Sequence, residues 1–244
     1  LLITANNHCY DTGLFGLKRT AQVLKERGIE FTGTKETETD PTYLVKEINN
    51  IKIGIANFTY ETSGGQAGRK YLNGAIIASE ANNLVNSFSY DKIDEFYGNA
   101  ANIISEMKTK GAEYILFYMH WGEEYQLEPN KYQTQIAQKL CDMGVDVIVG
   151  GHPHVVQPME LLSSTTDADH KTVCLYSTGN FLSNQRRDLM NLNTGHTEDG
   201  VMFSVTFSRY SDGTVILESA ECLPTWVNLH YNSETAHNEY NILP

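Results

Sequence analysis

The alternation of apolar strands and amphipathic helices between residues 51 and 151 constrains the fold most. Three apolar runs of strand length stand in this interval, at 51–58, 114–120 and 145–151. Between them, apolar residues at helical spacing predict helices over about 91–110 and 131–143, and each helix is followed by a glycine, Gly111 and Gly144. A β-α-β-α-β order predicts a sheet covered by helices.

The flanking segments have different patterns. At the start, "LLITA" (1–5) predicts a strand, and apolar residues over 14–24 predict a helix that Gly28 ends. A stretch rich in Gly, Ser and Asn at 59–75 predicts a long loop. Short strands without helices are predicted at 172–177, 201–207 and 214–223. The sequence therefore predicts a single mixed α/β domain over 1–244.

Charge and cysteine content narrow the function classes. Eighteen Lys and Arg against thirty Asp and Glu give a formal net charge of −12, which repels a phosphate backbone, so we expect no nucleic-acid partner. A small anionic ligand would need a local cation. The four cysteines form no CxxC pair, which argues against a zinc ribbon or a redox motif. No apolar run reaches the roughly 20 residues of a membrane helix.

Polar residues with metal-binding side chains follow three of the predicted strands. Asn7 and His8 follow "LLITA", His120 ends "YILFYMH", and His152 and His154 follow "VDVIVGG". Alone, each histidine reads as a loop residue, and "GGHPH" reads as a glycine-proline turn. Open α/β sheets assemble their functional sites at the carboxyl ends of strands. Histidine or asparagine at three such strand ends therefore favours a functional site.

The residue types suit a metal site. Neutral imidazole binds Zn²⁺, Mn²⁺ or Fe²⁺, and a His-x-His pair outside a helix can offer one nitrogen to each of two ions. Pro153 keeps His152 out of helical geometry, and the two preceding glycines would let backbone approach the metals. Asn7 offers a carboxamide oxygen, and His8 can serve proton transfer.

These blocks resemble known families. "ANNH", "HWGEEY" and "GGHPH" resemble, in order and spacing, the GNH, His and GHxH blocks of the calcineurin-like metallophosphoesterases. More closely, "ANNHCYDTGLFGLKRTAQVL", "HWGEEY", "GVDVIVGGHPHVVQPME" and "YSTGNF" are similar to bacterial capsule-synthesis proteins of the CapA/PgsA type, which are associated with poly-γ-glutamate capsule. The resemblance extends from Asn6 to about Pro224. It implies a four-layer α/β/β/α sandwich.

The resemblance also implies a dinuclear centre of Mn, Fe or Zn and assigns its ligands. Asn7, His120 and His152 would bind one metal ion, and His154 would belong to the other. His8 matches the metallophosphoesterase histidine that protonates the leaving group.

Three further residues are expected near this centre. Glu124 stands at the acidic position of the HWGxE block, and Asn180 is the Asn of the GNF block, so both are expected to face the site. Arg186 or its neighbour Arg187, shortly after that block, would contact an anionic substrate; the alternative is that both are solvated.

One part of the family pattern has no counterpart here. Such proteins begin with a strand that carries a GD-type motif, and an acidic ligand precedes the NNH block, whereas this sequence starts immediately before that block. We therefore expect a sandwich without its N-terminal strand or strands, in a fragment of a longer protein. The alternative is a version that has lost a competent dinuclear centre. In both cases metal binding by these 244 residues alone should be weak.

Two functions follow from the resemblance. The first is metal-dependent phosphoester hydrolysis within capsule biosynthesis. The second is a non-catalytic component of a capsule synthesis or export assembly, built on a degenerate scaffold. Expected partners are an anionic small molecule or polyglutamate and a membrane capsule-synthesis complex. The expected location is the extracellular side of the cell envelope, through an anchoring segment outside this sequence. A plain α/β domain without a site is the third alternative, and the histidine pattern argues against it.

Overall fold

The computed structural model describes residues 1–64, 66, 68–190 and 195–244. Residues 65 and 67 of the predicted loop lie outside the described residues. The helices are α1 (Gly13–Glu26), α2 (Ile93–Thr109) and α3 (Lys131–Asp142). The strands are β1 (Leu2–Ile3), β2 (Phe31–Thr32), β3 (Tyr43–Ile48), β4 (Ile51–Tyr60), β5 (Tyr71–Leu72), β6 (Ala75–Ile76), β7 (Ser87–Phe88), β8 (Tyr114–His120), β9 (Val147–Gly151), β10 (Met159–Ser163), β11 (Lys171–Leu175), β12 (Asp199–Arg209), β13 (Val215–Asn232) and β14 (His237–Leu243).

A seven-stranded sheet forms the centre of the molecule. Its strand order is β10-β11-β9-β8-β4-β3, and β7 pairs with the end of β4. Strands β4, β8, β9 and β11 run parallel, while β3 and β10 are antiparallel to their neighbours. Because α2 precedes β8 and α3 precedes β9, the predicted β-α-β-α-β unit is confirmed.

The main hydrophobic core lies between this sheet and the two crossover helices. Phe58 of β4 packs edge-on against Phe96 of α2 and stacks on Phe117 of β8, with ring centroids 5.2 and 5.9 Å apart. Trp121 is fully buried, and its indole N–H donates to the Tyr176 carbonyl oxygen at 3.0 Å. This bond fixes the backbone directly after His120, since a buried donor strongly requires its acceptor.

The start of α3 holds two loops together. The Asn130 side chain accepts hydrogen bonds from the amides of Tyr132 and Gln133, and the Gln133 side chain accepts one from the Asn130 amide, which is a capping box. The amide group of Gln133 also donates to the Gln157 side chain at 2.8 Å. Gln157 in turn donates to the Gln126 carbonyl oxygen at 2.9 Å. Consequently the segments that follow β8 and β9 share one buried polar network.

The second half of the chain differs from the prediction. Strands β12 and β13 have 11 and 18 residues, so the prediction of short strands there is wrong in length. Together with β14 they form a separate antiparallel three-stranded sheet. The sequence also missed β3, β10 and β14, whose residues are mostly exposed or half-buried and therefore lack an apolar run. The fold is mixed α/β with several sheets.

The two larger sheets meet on the face opposite the crossover helices. The ring centroids of Tyr114 and Phe207 are 4.3 Å apart, and the Tyr114 hydroxyl donates to the Val215 carbonyl oxygen at 2.7 Å.

Among the described residues, no helix is long and apolar enough to cross a membrane.

The predicted strand "LLITA" is shorter in the structure and lies outside the main sheet. Strand β1 covers only Leu2 and Ile3 and pairs with β2. The strand ends there because the Ala5 amide donates to a side chain, the Asn57 Oδ1 atom, at 2.7 Å. The fully buried Asn57 side chain also donates to the carbonyl oxygens of Ala5 and Tyr118, at 3.2 and 3.3 Å. Asn57 thus connects the segment after β1 to β4 and β8.

We expect Asn57→Ala to destabilise the fold by about 1–3 kcal/mol, because the buried Ala5 amide would lose its acceptor. Urea denaturation followed by circular dichroism measures this change. Asn99→Ala on the exposed face of α2 is the matched control, expected within about 0.5 kcal/mol of wild type. Equal stabilities of the two variants would contradict a structural role for Asn57.

Candidate metal site

The carboxyl ends of three neighbouring parallel strands meet at one edge of the main sheet. Thr59 of β4 pairs with His120 of β8, and His120 pairs with Gly151 of β9. The next residues, Tyr60 and His152, therefore lie beside His120. The ring centroids of His120 and His152 are 4.9 Å apart, and those of Tyr60 and His152 are 4.8 Å apart.

Asn7 reaches this edge from the segment after β1. Its Oδ1 atom accepts a hydrogen bond from His120 Nε2 at 2.9 Å, and its side chain is buried. A carboxamide oxygen and an imidazole nitrogen that lie this close together can ligate a common cation. The structure thus brings Asn7, His120 and His152 together at this edge.

The "GGHPH" turn carries backbone strain. His152 and His154 have φ angles of 103° and 60°, a region that residues other than glycine rarely adopt and that costs about 1–3 kcal/mol each. Such strain persists only where surrounding contacts hold it. The two preceding glycines allow close packing against neighbouring protein groups. A Cβ atom at Gly150 would meet the Tyr176 carbonyl oxygen at 1.9 Å, and one at Gly151 would meet the Tyr118 hydroxyl at 2.3 Å.

His154 lies at the outer side of the cluster, between Asn180 and Glu124. Its Nδ1 donates to Asn180 Oδ1 at 2.9 Å, and its Nε2 is 3.9 Å from the Glu124 carboxylate. Asn180 is itself fixed, since its amide donates to the Thr197 carbonyl oxygen at 2.9 Å. Tyr125 stacks on the His154 ring at 5.9 Å. Asn180 and Glu124 therefore lie beside this histidine. Because the proton is on Nδ1, the unprotonated Nε2 atom has the lone pair that could bind a metal ion.

His8 is exposed at the margin of the cluster. Its Nδ1 is 2.7 Å from the Asp11 carboxylate and 3.1 Å from the Asn73 amide. It is close enough that its charge would act on the two central histidines. Arg186 forms ion pairs with Asp188 and Glu198, at 3.1 and 3.5 Å, rather than with the histidines.

Burial keeps the central imidazoles neutral. Desolvation lowers the pKa of His120 to about 3, and the neighbouring His152, His154 and His8 add repulsion. The pKa of His152 is lowered to about 4 by the same causes, desolvation first. Burial and the Glu124 charge raise the pKa of Tyr60 to about 12, so its phenol also stays neutral. Neutral imidazole is the form that binds metals.

The donor chemistry fits a divalent cation. His152 Nδ1 is buried and has no hydrogen-bond partner in the described part of the chain, which is uncommon for a buried polar atom and leaves a nitrogen available to an ion. The geometry is incomplete, however. No group of three or more His, Cys, Asp or Glu in the described ranges is placed to hold a metal ion. These residues therefore supply ligands of the right kind without forming a closed site by themselves.

Comparison with known proteins decides the family. Residues 1–185 match the family model described as bacterial capsule synthesis protein PGA_cap. The chain belongs to this capsule synthesis family. The match includes every expected site residue except Arg186, which lies just beyond it.

Two curated relatives are similar over most of the chain. The PGA biosynthesis protein CapA of Bacillus subtilis (strain 168) is 31% identical over 187 residues, which is 76% of this chain and 43% of that protein. The capsule biosynthesis protein CapA of Bacillus anthracis is 27% identical over 219 residues, 89% of this chain and 46% of that protein. The chain thus spans less than half the length of these relatives.

Among solved structures, the sulfate thiohydrolase SoxB of Thermus thermophilus in complex with glycerol is similar with a TM-score of 0.45 and 13% identity. The similarity covers 85% of this chain and 30% of that chain.

Sequence reasoning missed Tyr60 and Asn57. A signal for Tyr60 existed, because it ends a parallel strand as His120 does; the strand was predicted to end at residue 58 and runs to residue 60. Asn57 gave no signal, since a buried asparagine within a strand cannot be told from a solvated one before its partner 52 residues away is known.

The two low pKa values predict that acid destabilises the metal-free protein. An unfolded histidine titrates near 6.5, above both folded values, so the unfolded chain takes up protons first as pH falls. Stability should be full above about pH 6.5 and fall towards pH 4, by the order of 3 kcal/mol for His152. Urea midpoints between about pH 7 and pH 4.5, with chelator present, measure the slope.

In the same experiment His152→Gln should flatten the pH dependence, because it removes one of the two buried histidines whose pKa values are lowered. Buried Asp146, whose pKa is raised to about 6 by desolvation, opposes the histidine slope equally in both proteins. Asn99→Ala removes no titratable group and should keep the wild-type slope. A His152→Gln slope equal to wild type would show that His152 is not the buried neutral base described above.

Proposed function

We propose that this chain acts in the biosynthesis of a poly-γ-glutamate capsule and that its histidine cluster is part of a metal site for phosphoester hydrolysis. One observation carries the proposal: Asn7, His120 and His152 converge at a single sheet edge, with neutral imidazoles and a buried nitrogen that has no partner among the described residues. The names of the Bacillus relatives support the capsule pathway.

In the proposed site, Asn7 Oδ1, His120 Nε2 and His152 Nδ1 would hold one divalent ion, and His154 Nε2 would contribute to a second. Because His120 Nε2 donates its proton to Asn7 in the metal-free structure, binding through this nitrogen would require the other tautomer of His120, with the proton on Nδ1. Mn, Fe or Zn suits these ligands. When bound, such ions supply an activated water and neutralise charge on a phosphoryl group. The protein contributes by fixing the donors in place.

Further residues have supporting roles in the proposal. Asn180 orients His154 through the 2.9 Å bond to Nδ1. His8, held by Asp11 at the margin, is the proposed proton donor to the leaving group. Arg186 can contact an anionic substrate only after it exchanges its Glu198 and Asp188 partners.

We also propose that the fold is part of a four-layer α/β/β/α sandwich. Three consecutive layers support this arrangement: α2 with α3, the seven-stranded sheet, and the β12-β13-β14 sheet, which the Tyr114–Phe207 contact joins to it. The proposed ligand is an anionic small molecule or polyglutamate. The proposed setting is a capsule-synthesis complex at the extracellular side of the cell envelope, in keeping with the names of the relatives.

A second candidate function is a non-catalytic component that binds polymer or a partner protein on the same scaffold. One observation favours it: no three of the His, Cys, Asp and Glu side chains in the described segments form a metal-holding group. The two candidates differ in whether turnover accompanies metal binding.

The natural gene product that contains these 244 residues provides the test. After chelation, Mn²⁺ binding is measured by calorimetry, and hydrolysis of p-nitrophenyl phosphate and bis(p-nitrophenyl) phosphate is followed with and without Mn²⁺. We expect Mn²⁺-dependent turnover, and a loss of at least about tenfold in metal affinity and rate for His152→Ala, which removes a proposed ligand.

His237→Ala is the matched control, because His237 is exposed at the start of β14, on the three-stranded sheet. It should bind Mn²⁺ and turn over substrate like wild type. Mn²⁺ binding without turnover would favour the non-catalytic candidate. Neither binding nor turnover in the wild type would overturn the metal site.

A further inference from the structure

We propose that Tyr60 is a positioning residue that fixes the orientation and tautomer of His152, so that the lone pair of His152 lies on Nδ1. The link from this lone pair to a metal ion rests on the function proposed above. The assignment of the tautomer does not depend on that function.

The geometry around Tyr60 places its hydroxyl on one nitrogen of His152. Tyr60 is the last residue of β4, and its hydroxyl oxygen is 3.2 Å from His152 Nε2. Its ring lies nearly parallel to the His120 ring, with centroids 6.5 Å apart, and the centroid of the Tyr90 ring is 6.2 Å away. Tyr60 therefore has neighbours that hold its hydroxyl in position.

The surroundings of His152 select one tautomer. A neutral imidazole carries one N–H, on Nδ1 or on Nε2. A proton on Nδ1 would be a buried donor without an acceptor in the described part of the chain, and such orphaned donors are rarer in proteins than unpaired acceptors. A proton on Nε2 can be donated to the Tyr60 oxygen at 3.2 Å. The N–H thus belongs on Nε2.

This tautomer gives the buried Nδ1 atom the role of a ligand. Its lone pair has no competing donor among the described residues, so a cation can occupy that position. Tyr60 then has the place that carboxylates and carbonyl groups often have behind a metal-binding histidine: it accepts the N–H of the nitrogen that does not bind.

Tyr60→Phe tests the inference, since it keeps the ring and removes only the oxygen. In ¹⁵N spectra of the metal-free wild type, with histidine labelled, we expect an unprotonated shift for His152 Nδ1 and a protonated shift for Nε2. In Tyr60→Phe these two shifts should move towards each other as both tautomers become populated. Zn²⁺ affinity, measured by competition with a chromophoric chelator, should fall about 10- to 100-fold.

Tyr132→Phe is the matched control, because Tyr132 contacts the same aromatic cluster through Tyr90, with ring centroids 4.8 Å apart. It should leave the His152 shifts and the Zn²⁺ affinity unchanged. A protonated Nδ1 in the wild type would overturn the inference, and so would Tyr60→Phe spectra and affinity equal to wild type.

The same measurements separate this inference from the proposed function. Wild-type protein that binds no Zn²⁺ but shows the expected tautomer, and loses it in Tyr60→Phe, would overturn the metal site and support the role of Tyr60. Should Tyr60→Phe fail to fold, the wild-type ¹⁵N shifts alone still decide the tautomer.

Discussion

The buried hydrogen bonds between Asn57 and the backbone of Ala5 are the interaction on which the site depends. Strand β1 and helix α1 do not belong to the main sheet, and these bonds join the segment after β1 to β4. Asn86 supports the junction, because its amide donates to the Asn57 carbonyl oxygen at 3.2 Å. Two residues beyond Ala5, Asn7 meets His120 across this junction. Asn57, in the middle of β4, thus fixes the position of the Asn7 Oδ1 atom, which belongs to the segment after β1.

Burial has two opposite effects at the histidine cluster. It keeps His120 and His152 neutral and therefore able to bind a cation, but it leaves the Nδ1 atom of His152 unpaired among the described residues, which costs free energy in the metal-free state. The positive φ angles of His152 and His154 add to that cost. Strain that surrounding packing tolerates is often concentrated where a protein binds a ligand.

The sequence predicts well whatever depends on local periodicity. Strand β8 occupies the predicted residues, and α3 ends one residue earlier than predicted. His120 and His152, at the ends of neighbouring strands, lie together because parallel strands align their carboxyl ends. It predicts poorly whatever depends on a distant partner. Asn57, Tyr60 and the close packing of Gly150 act through residues that only the fold brings near. The metal-binding and catalytic roles of all the predicted site residues remain predictions.

The capping box of α3 has a consequence for the dynamics of the site rim. Gln133 caps the helix and also binds Gln157, which holds the loop after His120 through the Gln126 carbonyl oxygen. Fraying of the first turn of α3 would break these bonds together. The local stability of the two loops that flank the cluster is therefore coupled to that of the helix start.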